Sequence, residues 1–140
     1  MRDTAILIMI VLSLLLPGPA MGGGIEHAGH DGDFTPEPTL ISPTTEKVDL
    51  TGKTGLEFKW SSHEARRGFR KYYDFRLYKG YDMLEKSLLM KKEVDPNTYE
   101  FSVKSDTFSD GEVYTWSLRQ VYDGMQKSRR STASFKVIKK

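Results

Sequence analysis

The sequence predicts an all-β domain in which two sheets pack face to face. From Thr39 onward, short runs of residues alternate between apolar and polar and are separated by turn residues. Amphipathic helix patterns are nearly absent from the same region. Seven such segments in about 100 residues are the number typical of a two-sheet sandwich.

The segment at residues 108–124 is the predicted central strand, and it lies between two Asp-Gly turns. Its alternation assigns Tyr114, Trp116 and Leu118 to a buried face and Thr115, Ser117 and Arg119 to a water-facing one. A Trp on a strand is buried only when neighbouring strands and a facing layer cover it. The strand therefore requires a sheet on both sides and a second sheet opposite.

Six further segments complete the prediction. They lie at residues 40–43, 56–60, 73–77, 84–94, 99–103 and 135–138. Pro43 makes the first an edge strand, since proline cannot donate to a ladder. The third places Asp74, Arg76 and Tyr78 on the water-facing side. Residues 82–92 also allow a helix, but the surrounding β pattern favours an edge strand.

Single residues across these segments carry a family resemblance. They are Leu40, Ser42, Pro43, Leu56, Phe58, Trp60, Tyr73, Phe75, Leu77, Tyr78, Gly111, Tyr114, Trp116, Leu118 and Gly124. In this order they resemble a fibronectin type III or closely related bacterial immunoglobulin-like domain, over residues 39–138. The resemblance implies a seven-stranded immunoglobulin-like, fibronectin type III-like sandwich. It also implies that Trp60 packs in the core and that Tyr114 bonds back to the chain near the preceding turn. The basic insertion at residues 66–71 and the weak pattern at 82–92 leave a different sandwich topology open.

The amino-terminal residues predict export. One Arg is followed by thirteen mainly apolar residues at positions 4–16, too few to cross roughly 30 Å of hydrocarbon. Gly18 and Ala20 are the small residues of a cleavage site, so residues 1–20 are predicted to be a signal peptide, with an uncleaved anchor as the alternative. The absence of cysteine favours bacterial export, to the periplasm or the medium. No integral membrane segment is expected after cleavage.

Residues 21–38 predict a flexible acidic linker, and residues 39–140 the folded domain. Within the linker, His27, His30 and Asp31 supply imidazole and carboxylate groups of the kind that zinc, copper or nickel binds. These residues follow three glycines, with nothing in the pattern to hold the rings. A solvated linker is therefore favoured over weak metal capture.

The chain is predicted to be neither an enzyme nor a cofactor-binding protein. Without cysteine, thiol nucleophiles and thiolate metal sites are excluded. The domain has one histidine, His63, and no nucleophile elbow or phosphate-binding glycine loop accompanies it. Strand carboxylates such as Glu57 and Asp74 are interpreted as solubilising charges.

The folded part is basic. Of 21 basic and 19 acidic residues, one and five precede position 39, which leaves 20 and 14, or a net charge of +6. Seven cations lie in the loops after the second strand and before the last, which share one pole of the resembling fold; they are Arg66, Arg67, Arg70, Lys71, Lys127, Arg129 and Arg130. Such a concentration attracts anionic partners. Solvated loop charges are the alternative.

A second predicted surface is a sheet face that carries Tyr72, Tyr78, Arg76, Arg119 and Thr115. Exposed aromatic and basic side chains of this kind stack sugars or dock peptides. The sequence thus predicts a secreted or periplasmic, non-catalytic binding or adhesion module for a protein or anionic glycan of a cell surface. Export argues against nucleic acid as the partner. A structural or accessory domain with no small ligand remains the alternative.

Overall fold

A computed structural model of the chain describes residues 36–62 and 70–140. The predicted signal peptide, most of the predicted linker and His63 lie outside these residues. The described chain folds into eight strands. They are β1 (Thr39–Ser42), β2 (Lys47–Asp49), β3 (Gly55–Ser61), β4 (Arg70–Lys79), β5 (Leu88–Val94), β6 (Glu100–Lys104), β7 (Val113–Tyr122) and β8 (Ser131–Ile138).

The strands form two sheets, one of three strands in the order β1-β3-β6 and one of five in the order β2-β8-β7-β4-β5. The predicted all-β sandwich is therefore confirmed, with β7 in the middle of the larger sheet. Neighbouring strands run antiparallel except β2 and β8, which are parallel and pair Lys47 with Lys136. The sequence did not predict β2, because three residues with one partly buried Val48 are too short to show alternation.

The core lies between the sheets and is largely aromatic. Trp116 is fully buried, and its ring centroid lies 4.9 Å from that of Phe58 and 6.0 Å from that of Phe75. Trp60 packs against Tyr73 at 5.3 Å in an edge-to-face arrangement, the geometry that aromatic quadrupoles favour. The predicted core positions of Trp60 and Trp116 are confirmed.

Tyr114 makes the hydrogen bond that the family resemblance implies. The backbone N–H of Ser109 donates to the Tyr114 hydroxyl at 2.8 Å, across the turn before β7. Phe108 covers the Tyr114 ring edge-on at 4.9 Å. The buried phenol thus satisfies its polar end while its ring packs in the core.

The predicted water-facing positions of β4 and β7 are wrong in several places. Asp74 is 5% exposed, Tyr78 and Thr115 are each 3% exposed, and Ser117 is fully buried. Several of these side chains are hydrogen-bonded to neighbouring groups: Arg130 bonds both Asp74 and Ser117. Likewise, the Thr115 hydroxyl donates to the carbonyl of Gly80. The exposed aromatic and basic face predicted from the sequence is accordingly a largely covered polar layer.

The edge strand predicted at residues 84–94 is present, but it is confined to Leu88–Val94. A short 3-10 helix at Glu85–Ser87 leads into β5, which pairs with β4 at the margin of the larger sheet. The helical alternative is wrong because β5 pairs along its length with β4.

Candidate functional site

A group of four charged side chains, which we call the arginine cluster, lies on the outer face of the larger sheet. Its members are Asp74, Arg76, Arg119 and Arg130. Asp74 and Arg76 alternate on β4, and Arg119 stands opposite Asp74 on β7. Arg130 reaches the cluster from the chain immediately before β8. The pairing of β4 with β7, together with the chain just before β8, therefore brings three guanidinium groups to a single carboxylate.

Two of the arginines bond Asp74 directly. Arg76 donates from Nε to Oδ1 and from Nη2 to Oδ2, both at 3.2 Å, in a two-pronged arrangement. Arg130 donates from Nη2 to Oδ2 at 2.6 Å and from Nη1 to the Ser117 hydroxyl at 3.2 Å. The carboxylate of Asp74 is thus occupied on both oxygens.

Arg119 is left with a weaker contact. Its Nε lies 3.5 Å from Asp74 Oδ2, is buried, and has no hydrogen-bond partner in the described part of the chain. The Arg119 side chain is 24% exposed, so part of it still reaches solvent. A buried donor without a hydrogen-bond partner is costly.

The arginine cluster carries an excess of two positive charges. Burial by itself raises the pKa of Asp74, but hydrogen bonds from Arg130 and Arg76 outweigh it and hold that pKa below its ordinary value. Burial lowers the pKa of Arg130, and the nearby Arg119 and Arg76 charges lower it further against the opposing effect of Asp74. The lowered pKa of Asp74 thus comes from its arginine partners, whereas the lowered pKa of Arg130 comes first from burial.

The five predicted loop cations within the described residues divide into two kinds. Arg70 is held by the fold, since its Nε donates to the Pro96 carbonyl at 3.0 Å and its guanidinium lies 5.1 Å from the Tyr73 ring centroid. Arg130 belongs to the arginine cluster. The remaining three, Lys71, Lys127 and Arg129, are exposed.

The other predicted binding residues, Arg66 and Arg67, lie outside the described residues, as do the predicted metal ligands His27, His30 and Asp31. Across residues 36–62 and 70–140, no three His, Asp or Glu side chains come together in a way that suits a metal ion. Helices in that same part of the chain are all too short and too polar to span a bilayer.

A groove of ≈ 1130 Å³ runs between β1 and the first half of β8. Residues 36–40 and Thr44 line one side, and residues 129–134 line the other. The last three residues of the predicted linker therefore lie against the domain. Pro38 is buried and accepts a hydrogen bond from the Ser131 hydroxyl, and the Pro36 carbonyl accepts one from Gln120.

The sequence placed Arg130 among binding residues but did not associate it with Asp74. The two are 56 residues apart, so no local spacing connects them. The available signal was the Asp74 and Arg76 pair, two residues apart on one strand face. From alternation alone, both side chains were predicted to face water.

One solved structure is similar to this domain in fold. The chain superposes on fibronectin(III)-like modules of Clostridium thermocellum CbhA with a TM-score of 0.50 and 16% identity, covering 73% of this chain and 97% of that one. The domain has a fibronectin type III-like fold. At this level of identity the likeness concerns the fold alone.

Two more solved structures are similar at lower TM-scores. The third fibronectin III domain of the human KIAA0343 protein gives 0.46 at 16% identity, with 80% of this chain and 90% of that one covered. A β-1,2-glucanase from Parabacteroides distasonis gives 0.43 at 16% identity, with 73% of this chain and 12% of that one covered. No protein-family model matches the fibronectin type III-like chain, and the comparison with curated proteins gives no match.

Proposed function

We propose that this fibronectin type III-like domain is an exported, non-catalytic binding module that recognises an anionic group on a protein or glycan partner. The observation that carries the proposal is the arginine cluster, in which three guanidinium groups share the Asp74 carboxylate. Arg119 is the member with the loosest contact to Asp74, so it supplies the donors for an incoming anion.

The chemistry of the cluster suits an oxyanion. A guanidinium group presents planar paired donors that match carboxylate, sulfate or phosphate oxygens. Arg76, Arg119 and Arg130 have side chains 21%, 24% and 18% exposed, so solvent weakens their field less than it weakens that of a freely exposed cation. The exposed Lys127 and Arg129 extend the positive field towards an approaching partner.

The test compares Arg119→Gln with Lys91→Gln. Lys91 stands opposite Arg76 on β5 and is exposed, so its loss removes the same charge from the same face without removing a member of the cluster. Heparin binding by the full chain is measured at about 50 mM and about 300 mM salt, since surface electrostatics weakens over that range. We expect Arg119→Gln to weaken binding about tenfold at low salt, and Lys91→Gln less than about threefold.

Equal binding by wild type and Arg119→Gln would overturn the proposal. Equal losses in both variants would show attraction to net charge instead of a site. If the full chain binds neither heparin nor acidic proteins at low salt, the structural or accessory function becomes the better explanation.

A further inference from the structure

Within residues 36–62 and 70–140, no strand pairs with the first part of one edge of β8. On one edge, β7 pairs with β8 from Ser131 to Lys136. On the other edge, β2 pairs only with Lys136, Val137 and Ile138. Along residues 131–135 that other edge has no strand partner in the described part of the molecule.

Strand alternation identifies the backbone groups on this open edge. The N–H of Lys136 points to the β2 side and donates to the Glu46 carbonyl, whereas the N–H of Val137 points to the β7 side and donates to Glu112. Since successive residues alternate, the N–H and C=O groups of Thr132 and Ser134 point to the open edge. Neither residue has a backbone hydrogen bond on that side among the residues described.

The open edge forms one wall of the ≈ 1130 Å³ groove, and the opposite wall explains why it stays open. That wall contains Pro36 and Pro38. Proline has no N–H, so this stretch cannot supply an alternating ladder to β8. Pro38 is instead fastened by the Ser131 hydroxyl, which holds the segment beside β8 without pairing to its edge.

Charge at the groove favours one kind of occupant. Arg129 and Arg130 lie at the end where β8 begins, against a single acidic lining residue, Glu37. Arg130 is already bonded to Asp74, so the exposed Arg129 is the cation that remains for a ligand. We propose that the open edge of β8 binds an extended peptide segment of a partner protein by strand addition, with a carboxylate of that segment beside Arg129.

This inference rests on the backbone edge of β8 and does not require the arginine cluster to bind an anion. Backbone hydrogen bonds give a strand-addition complex its affinity, and side-chain contacts give it selectivity. Unpaired edges are also the places where sheets accept foreign strands. Thr132 and Ser134, which line the groove, supply four backbone groups, which suits a short ladder.

The first experiment measures amide hydrogen exchange by NMR on the full chain. Ala133 and Phe135, which face β7, are expected to exchange slowly, and Thr132 and Ser134 at least about tenfold faster, because bonded amides exchange only on local opening. Slow exchange at all four amides would overturn the proposal, since the edge would then already be paired.

The second experiment adds a synthetic eight-residue peptide of alternating Val and Thr with Glu at both ends. We expect the Thr132 and Ser134 amide signals to shift and their exchange to slow by about tenfold or more on saturation. The same peptide with alternate backbone nitrogens methylated loses its ladder donors and should bind at least about tenfold more weakly. Equal binding of the two peptides, or shifts confined to other strands, would overturn strand addition.

Variants locate the site. Ser134→Pro removes the N–H that faces the groove and leaves the β7-facing bonds of Ala133 and Phe135, so it should weaken binding about tenfold. Ser134→Val is the matched control, because it removes the same hydroxyl but keeps the N–H; it should change affinity less than about threefold. If Ser134→Pro fails to fold, the methylated peptide still decides the outcome.

Two further comparisons separate this site from the arginine cluster. Arg119→Gln should leave peptide binding unchanged, whereas Arg129→Ser should weaken binding of the Glu-ended peptide and not of a Gln-ended one. Loss of peptide binding in Arg119→Gln would assign the peptide to the arginine cluster. Concentration-dependent dimerisation without peptide would show that a second copy of the chain occupies the edge, and would also overturn the proposal.

Discussion

The two faces of β4 and β7 exclude water by different means. On the inner face, Phe75, Leu77 and Trp116 are fully buried against the other sheet. On the outer face, Asp74 and Ser117 are also buried, yet their neighbours are arginines and hydroxyls. Alternation along a strand separates two sets of side chains. It does not establish that either set is exposed to solvent.

The difference has an energetic consequence. Apolar packing is non-directional and independent of pH, so the inner face depends on volume and shape. The outer face depends on complete pairing of charges, because removing one member leaves the others partly desolvated and uncompensated. The inner face should therefore resist changes of solution conditions that disturb the outer one.

The largest effect is expected from the inner face. Trp116→Ala empties a fully buried position and also removes the hydrogen bond from its Nε1 to the Pro43 carbonyl, which is 3.0 Å long. We expect a loss of about 3 to 5 kcal/mol in the free energy of unfolding, measured by urea denaturation. Trp60→Ala should fall in the same range.

Tyr81→Ala is the matched control for these substitutions, because Tyr81 is 74% exposed. It should change stability by less than about 0.5 kcal/mol. A loss below about 1 kcal/mol for Trp116→Ala would contradict its central position in the core.

A smaller effect is expected from the outer face. Asp74→Asn leaves three arginines without their carboxylate, and we expect a loss of about 2 kcal/mol after discounting for their partial exposure. Glu93→Gln is the control, since Glu93 stands opposite Asp74 on β5 but is exposed. Similar urea midpoints for wild type and Asp74→Asn would show that the arginine cluster adds nothing to stability.

Lowering the pH should reduce the stability contributed by the outer face but not that contributed by the inner face. The pKa of Asp74 is lower in the folded state than its ordinary value of 3.8, so its contribution is complete above that value and is lost as pH falls through the lower folded pKa. Wild type should therefore lose more stability between pH 5 and pH 2 than Asp74→Asn does, measured by urea denaturation at each pH. If the stability of wild type and of Asp74→Asn fell in parallel with pH, Asp74 would not be the source of the acid-dependent loss.

The smallest effect tests one polar contact at the margin of the inner face. Tyr114→Phe removes the acceptor for the Ser109 N–H and leaves the ring packing in place. We expect a loss of about 1 kcal/mol, the usual net value of one hydrogen bond. Tyr81→Phe, at an exposed position, should be neutral within about 0.5 kcal/mol.

The inner face was predictable because the spacing of residues within each strand indicates which side chains lie on it. Period-two spacing located Phe58, Trp60, Phe75 and Trp116, whereas the family resemblance implied the Tyr114 contact. The short β2 escaped because pairing with β8 defines it, and its three residues carry no pattern of their own.

The candidate site was predictable only in part. Positive charge in the loops was evident from the sequence. Which of these cations are already paired depends on contacts between segments far apart in the chain, and local residue spacing does not encode such contacts. Arg70 is held by Pro96, and Arg130 by Asp74. The groove was not predicted either, since it depends on Pro36 and Pro38 lying beside β8.

The parallel pairing of β2 with β8 has a consequence for the order of folding. Lys47 must meet Lys136, so this part of the larger sheet cannot close until nearly all of the described chain has left the ribosome. Contacts of such wide sequence separation slow folding, because the connecting chain must lose its freedom before any bond forms. During synthesis β2 therefore has no strand to pair with until β8 has been made, and the pairing of β8 completes the sandwich.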